Sequence, residues 1–320
     1  MILRQKSFAA VCLALLLIHG LSVGLCQAQS SYATNFASDR VSWRSLHFKE
    51  DRFFGKVEIE VQLAVLPAKA AAEQLLVVPL AEALQPSGAT IITIVVDSDI
   101  KPFLGSNEIL KTQSWFNSKD AAALQRIRLR QGDKIWQKSY CFQPDGVYHE
   151  RKKPVGKKQL ELPPAQWTTF EKRFYQYNGE DHKCTAVLEP SALLYLASVM
   201  DFSEQKVPLS LCVFDKQQLY RVTATAGEVR QLKVNYLERS PGKQIRREGS
   251  IDVTRISFQP NSLRPKNDES EELSFLMLQG DFDVFIDQSS YIPVRVSGKS
   301  DGLGKIDIRL QAVAFAPKIR

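Results

Sequence analysis

The sequence predicts a mainly β protein: a large curved antiparallel sheet with few helices, one of them apolar and packed on the concave face. Three observations carry that expectation. Apolar and polar residues alternate with period two along much of the chain, as half-buried strands require. Short turns separate these runs, which suits antiparallel neighbours and leaves no room for the helices of parallel crossovers. The segment 192–200 is apolar nearly all round, so a helix there must be covered on most sides.

The chain opens with a basic start, Arg4 and Lys6, then an apolar run over 8–25 and the exit Cys26-Gln27-Ala28. This predicts an export signal, residues 1–28, cleaved after Ala28. An uncleaved anchor is opposed by the interruptions at His19, Gly20 and Ser22. Acylation at Cys26 is opposed by Leu25, where a small residue is wanted. Cleavage predicts an exported mature chain, read as one β-rich domain over 29–320. No later run is long enough to span a bilayer, so the mature chain is expected to be soluble.

The composition, 44% hydrophobic and 24% charged, excludes disordered, collagen-like and coiled-coil classes. Losing Arg4 and Lys6 lowers the net charge from +7 to +5. An exported protein does not meet cytoplasmic nucleic acid. The excess points to anionic lipid, glycan or protein surfaces, or to solubility alone.

The strands follow in order. Phe53, Val57, Ile59, Val61, Leu63 and Val65 share one face of a long strand, with Lys56, Glu58, Glu60 and Gln62 on the other. Ile127 and Leu129 alternate with Arg126, Arg128 and Arg130, and Gln131-Gly132-Asp133 turns the chain into a partner strand over 134–140. The three arginines repel one another, so acids on neighbouring strands or an anionic partner should offset them; solvation is the default. Runs over 207–214, 218–224 and 229–237 read as three strands, separated by Asp215-Lys216 and Ala226-Gly227. Runs over 251–258, 273–279, 282–286 and 292–296 follow, and Ile306, Ile308, Leu310, Ala312 and Ala314 line a last strand. Glu189-Pro190-Ser191 starts the apolar helix, since proline is tolerated in a first turn. The segment 68–76 reads as either helix or strand. Segments 149–158, with five Lys or Arg, and 260–272 read as loops.

Mature cysteines are Cys141, Cys184 and Cys212, in an oxidising compartment. Spacing alone leaves the connectivity open. Cys141 and Cys184 stand among polar, loop-like residues and Cys212 in an apolar run, so a Cys141–Cys184 bridge with Cys212 a packed thiol is the expectation.

No catalytic constellation emerges. Glu180, Asp181, His182 and Cys184 collect ligand types, but His47, His149 and His182 have no paired spacing, so no metal and no cofactor is expected. A nucleophile elbow is missing. The glycine-rich stretch 298–305 has Lys299 where a phosphate loop needs glycine, and reads as a hairpin turn. Asp281 and Asp283 read as solvated strand positions, and Asp287 as a turn residue.

Three stretches in order carry a resemblance: the helix at 190–197 (PSALLYLA), the hairpin at 207–222 (VPLSLCVFDKQQLYRV) and the hairpin at 285–296 (FIDQSSYIPVRV) leading to 304–310. Together they resemble an uncharacterised exported family of proteobacteria, the domain of unknown function DUF3108; the likeness covers about 41–316, which it implies is the core of the domain, and it implies the periplasm of a Gram-negative cell. Ala197-Ser198 departs from it, standing where an arginine is more usual. The resemblance implies an architecture similar to periplasmic lipoprotein carriers: an antiparallel half-barrel with helices over its opening. It transfers no catalytic residue.

These readings lead to a non-enzymatic periplasmic protein that binds or carries a hydrophobic ligand, a lipid, acyl chain or lipoprotein tail. Leu193, Tyr195, Leu196 and Val199 on the helix and Val57, Ile59 and Val61 on the strand are the candidate lining; filling the core is their plain alternative. The competing reading is an envelope assembly or structural factor that binds a protein partner through a sheet edge or basic loops.

Overall fold

The computed structural model describes residues 40–52, 55–76, 83–103, 106–200, 208–263, 272–301 and 303–315. One compact unit runs Ala33–Arg320; Met1–Tyr32 is a separate unit. The predicted export signal and Phe53 lie outside the described residues.

The protein is mainly β. Its first half is an antiparallel meander in which each strand pairs with the next: β1 (Trp43–Arg52), β2 (Gly55–Pro67), β3 (Thr90–Pro102), β4 (Glu108–Asn117), β5 (Ala123–Gln131), β6 (Trp136–Gln143), β7 (Gly146–Lys153) and β8 (Thr168–Gln176). Short helices α1 (Ala68–Ala72) and α2 (Gly156–Leu160) sit in connections. The second half holds β9 (Val187–Leu188), α3 (Ala192–Val199), β10 (Leu209–Asp215), β11 (Gln218–Ser240), β12 (Lys243–Ser262), β13 (Ser274–Phe275), β14 (Leu278–Asp287), β15 (Pro293–Ser300) and β16 (Gly304–Phe315). Pairing of β16 with β1 joins the halves into one sheet of order 8-7-6-5-4-3-2-1-16-15-14-12-11-10-9, with β13 on β14.

That sheet is rolled, and side-chain contacts demonstrate it. Strands β5 and β10 stand ten steps apart in the order. At about 4.8 Å per step a flat sheet would separate them by roughly 48 Å. Yet Arg126 on β5 and Asp215 on β10 meet at 2.9 Å. Near the same seam Tyr140, Phe142, Val147 and Tyr175 of β6–β8 pack with Phe214 and Leu219 of β10 and β11. The two ends of the ladder therefore close on each other through side chains. Among the described residues, no strand pairing joins β8 to β9 or β10.

Helix α3 fills the space inside. All eight of its residues are buried. The Glu189 carboxylate accepts the Ala192 N–H at 2.8 Å, satisfying a donor that the first turn leaves free. Trp43 Nε1 on β1 donates to Ser198 Oγ at 3.2 Å, and the Tyr195 ring meets Phe116 of β4 in a tilted contact, centres 5.4 Å apart. Each buried Leu or Val on the helix contributes roughly 1.5–3 kcal/mol. The apolar circumference read from the sequence thus has walls on several strands.

Three local readings change. The predicted strands 218–224 and 229–237 are one strand, β11, because Ala226 to Val229 is a bulge in its ladder with β12 and not a turn. The predicted strand 273–279 is a hairpin: β13 and β14 pair around Leu276 and Met277, both at positive φ, 44° and 65°. The 149–158 loop is in part strand, with His149 buried on β7. The ambiguous segment after Pro67 opens as helix α1.

Candidate functional site

All seven predicted lining residues are buried. Leu193, Tyr195, Leu196 and Val199 on α3, and Val57, Ile59 and Val61 on β2, are each at most 1% exposed. A cavity of about 40 Å³ opens elsewhere, and none of the seven lines it.

That cavity lies beside a buried charge cluster. Alternation on β5 aims Arg126, Arg128 and Arg130 to one side, and among the described residues only Arg130 meets an acid of an adjacent strand, Glu108 on β4, at 2.6 Å. Arg126 is buried, contrary to the expectation of a solvated stripe. The reason is the roll of the sheet, which brings Asp215, at the β10–β11 turn, across the interior. Arg126 Nη2 donates to Asp215 Oδ1 at 2.9 Å, and Arg128 Nη1 lies 3.8 Å from the same oxygen. Asp215 Oδ2 accepts the Ser274 N–H at 3.0 Å. The Arg126 guanidinium also stacks on Tyr140, 4.6 Å from the ring centre.

The electrostatics follow from burial and these neighbours. Burial alone would raise the Asp215 carboxyl, but Arg126 and then Arg128 hold it below the usual carboxylate range. Burial opposes charge on Arg126, and Asp215, Tyr140 and Glu189 together more than offset that, so its pKa is raised. Burial pushes the Glu189 carboxyl up, only partly countered by Arg126. Arg126, Arg128, Glu189 and Asp215 line the cavity, together with Ser98 and the turn residue Leu276. Its volume suits a water or two. Ligand sites for drug-sized molecules run to about 300–1,000 Å³. The cluster acts as a latch between the two ends of the sheet.

Sequence reasoning missed Asp215, which reads as a turn residue. The available signal was the arginine stripe itself, whose like charges demand acids; which acid depends on a contact 89 residues away in sequence.

The cysteine expectation is corrected. The bridge joins Cys184 to Cys212, with a Cα–Cα distance of 5.9 Å, and Cys141 is the free, buried thiol. Parallel pairing of β9 with β10 sets Val187 against Cys212, so the chain just before β9 brings Cys184 alongside. Cys141 lies within β6 and faces Gln125, not a loop. Burial pushes its thiol up to about 12, far from the reactive thiolate range. Burial, then Lys138 and Arg126, press the His149 imidazole down to about 4. No group of three metal-ligating side chains occurs among the described residues.

Outside, the β11–β12 hairpin is the dominant feature. Its ladder runs from Tyr220↔Ser262 to Ser240↔Lys243. Strand β14 covers β12 only at 253–258, and β11 touches β16 through Leu237 to Arg239. The outer edge of β12 over 243–250 is unpaired among the described residues, and every residue there is exposed. Lys243, Arg246, Arg247 and Glu248 give it a net positive charge.

No protein-family model matches the chain, and no curated protein matches it. Among solved structures it is similar to the crystal structure of a beta-barrel-like protein of the domain of unknown function DUF1849 from Brucella abortus. That match has 6% identity and a TM-score of 0.44, and covers 87% of this chain and 99% of that one.

Proposed function

We propose that the chain is an exported, non-enzymatic envelope protein, an assembly or structural factor that pairs with an extended acidic segment of a partner protein. The observation that carries this reading is the open edge of β12 over 243–250, exposed at every residue. An unpaired edge offers a row of backbone donors and acceptors, and adding a strand to such an edge is a recurrent mode of peptide recognition. Its lysine and arginines disfavour pairing with another copy of the same edge and favour an acidic strand. The periplasmic address and kinship with the DUF3108 family belong to this reading. They are supported by the N-terminal sequence and by the helix and hairpin motifs.

Carriage of a lipid or acyl ligand is the other reading. Its seven candidate residues are core, and the cavity near the charge cluster is far below ligand size. A cargo site would require α3 to leave the interior.

A photoreactive residue at position 245, introduced in living cells, tests the proposal. A discrete protein cross-link is expected, weakened about tenfold when Lys243→Glu and Arg246→Glu reverse the edge charge. No cross-link, or one indifferent to charge reversal, would overturn it.

A further inference from the structure

We infer that the tip of the β7–β8 hairpin docks on an anionic lipid bilayer. This surface is separate from the β12 edge. The residues between the two strands, with the start of β8, expose Val155 (65%), Leu160 (47%), Leu162 (41%) and Phe170 (65%). Four large apolar side chains so close in sequence are more than scattered surface residues explain. Among them stand Lys152, Lys153, Lys157 and Lys158, against the single acid Glu161. Lys157 and Lys158 have no ion-pair partner among the described residues. Solubility would account for the lysines but not for the apolar groups between them.

The loop is built to hold these groups outward. Gln159 Oε1 accepts the N–H of Val155 at 2.8 Å and of Thr168 at 3.2 Å, tying the loop across its base. Trp167, buried, donates its indole N–H to the Leu162 carbonyl at 3.0 Å. Lys152 Nζ donates to the Ala165 carbonyl at 3.0 Å. The Lys153 ammonium lies 4.1 Å from the Phe170 ring centre. Apolar groups flanked by ammonium groups match a bilayer boundary, where acyl chains lie just beneath phosphate head groups. A hydrophobic protein groove would take the apolar groups but leave the lysines unmatched, so the charge complementarity selects the anionic bilayer.

Vesicle pelleting tests this with the full chain and two variants. All three share the same N-terminus, so their differences report the tip. With phosphatidylglycerol vesicles at low salt the chain is expected to pellet, and with phosphatidylcholine vesicles much less. Lys157→Glu/Lys158→Glu should lower partition into phosphatidylglycerol by at least about tenfold, since each basic residue near such a surface contributes several-fold. Val155→Ser/Leu160→Ser should lower it by about tenfold at unchanged charge. Both pairs are exposed, and circular dichroism checks that the fold persists. Equal pelleting with both lipids, or variants as bound as the parent, would overturn the inference. So would absence of vesicle binding, the outcome expected if a protein covers the tip.

Discussion

Asp215 and Arg126 are worth most when considered together. Asp215→Asn leaves the Arg126 charge buried with a weakened partner, and breaking a buried pair this way costs about 3–5 kcal/mol. Replacing both with apolar residues of similar size, Arg126→Met with Asp215→Leu, should cost much less, because both desolvation penalties disappear. Urea unfolding of the three proteins measures this; equal losses in the single and double variants would contradict the latch. His149 makes a prediction about pH. Burial and the surrounding cations disfavour its charged form and press its pKa in the folded protein to about 4, below the usual imidazole value of 6.5. The neutral imidazole therefore contributes stability that is fully present above pH 6.5 and lost as pH falls towards 4. The whole effect is about 3 kcal/mol. His149→Phe, which preserves the ring beside Tyr140, should lack that part of the acid loss. Glu189, with its carboxyl raised, acts in the opposite sense, losing its contribution as pH rises, so the comparison must be between parent and variant. At this scale the sequence was legible where the cause is local. Asp287 was read as a turn acceptor, and it accepts from Ser289 and Ser290. The partner of Arg126 was not legible, because it is set by the roll of the sheet.

Elements were legible in proportion to how much of their pattern is their own. Strand β2 and helix α3 fall where periodicity puts them, since one buried face or an all-round apolar surface is written in adjacent residues. The bulge from Ala226 to Val229 and the turn at Leu276-Met277 were not. Ala226-Gly227 reads as a turn, yet the ladder with β12 resumes at Val229↔Thr254, and a continuous partner strand overrides local turn chemistry. The bridge failed for a similar reason: Cys141 has polar neighbours in sequence but an interior position in β6. Closing 28 residues, the Cys184–Cys212 bridge should contribute roughly 3–4 kcal/mol. Cys184→Ser should lower the unfolding midpoint accordingly. Peptide mapping without reductant should return the 184–212 pair, with Cys141 unlabelled until denaturant is added. A native Cys141 that labels rapidly would contradict its burial in β6.

At the largest scale, the unit Ala33–Arg320 is a sheet rolled until its ends meet, with helix α3 buried inside. Alternation and short turns made the class, the antiparallel pairing and the curved sheet around a covered helix legible. Closure was not, because contacts between β5–β8 and β10–β11 join residues that no local pattern links. That closure encloses the buried helix α3, and it directs the functional proposal to the outer edges. Native mass spectrometry of protein purified from its native cells tests that most directly. The mass of the polypeptide alone is expected, with no gain in fluorescence from an added acyl probe. A stoichiometric lipid or acyl adduct that survives desalting would contradict it, because it would require α3 to give up the interior.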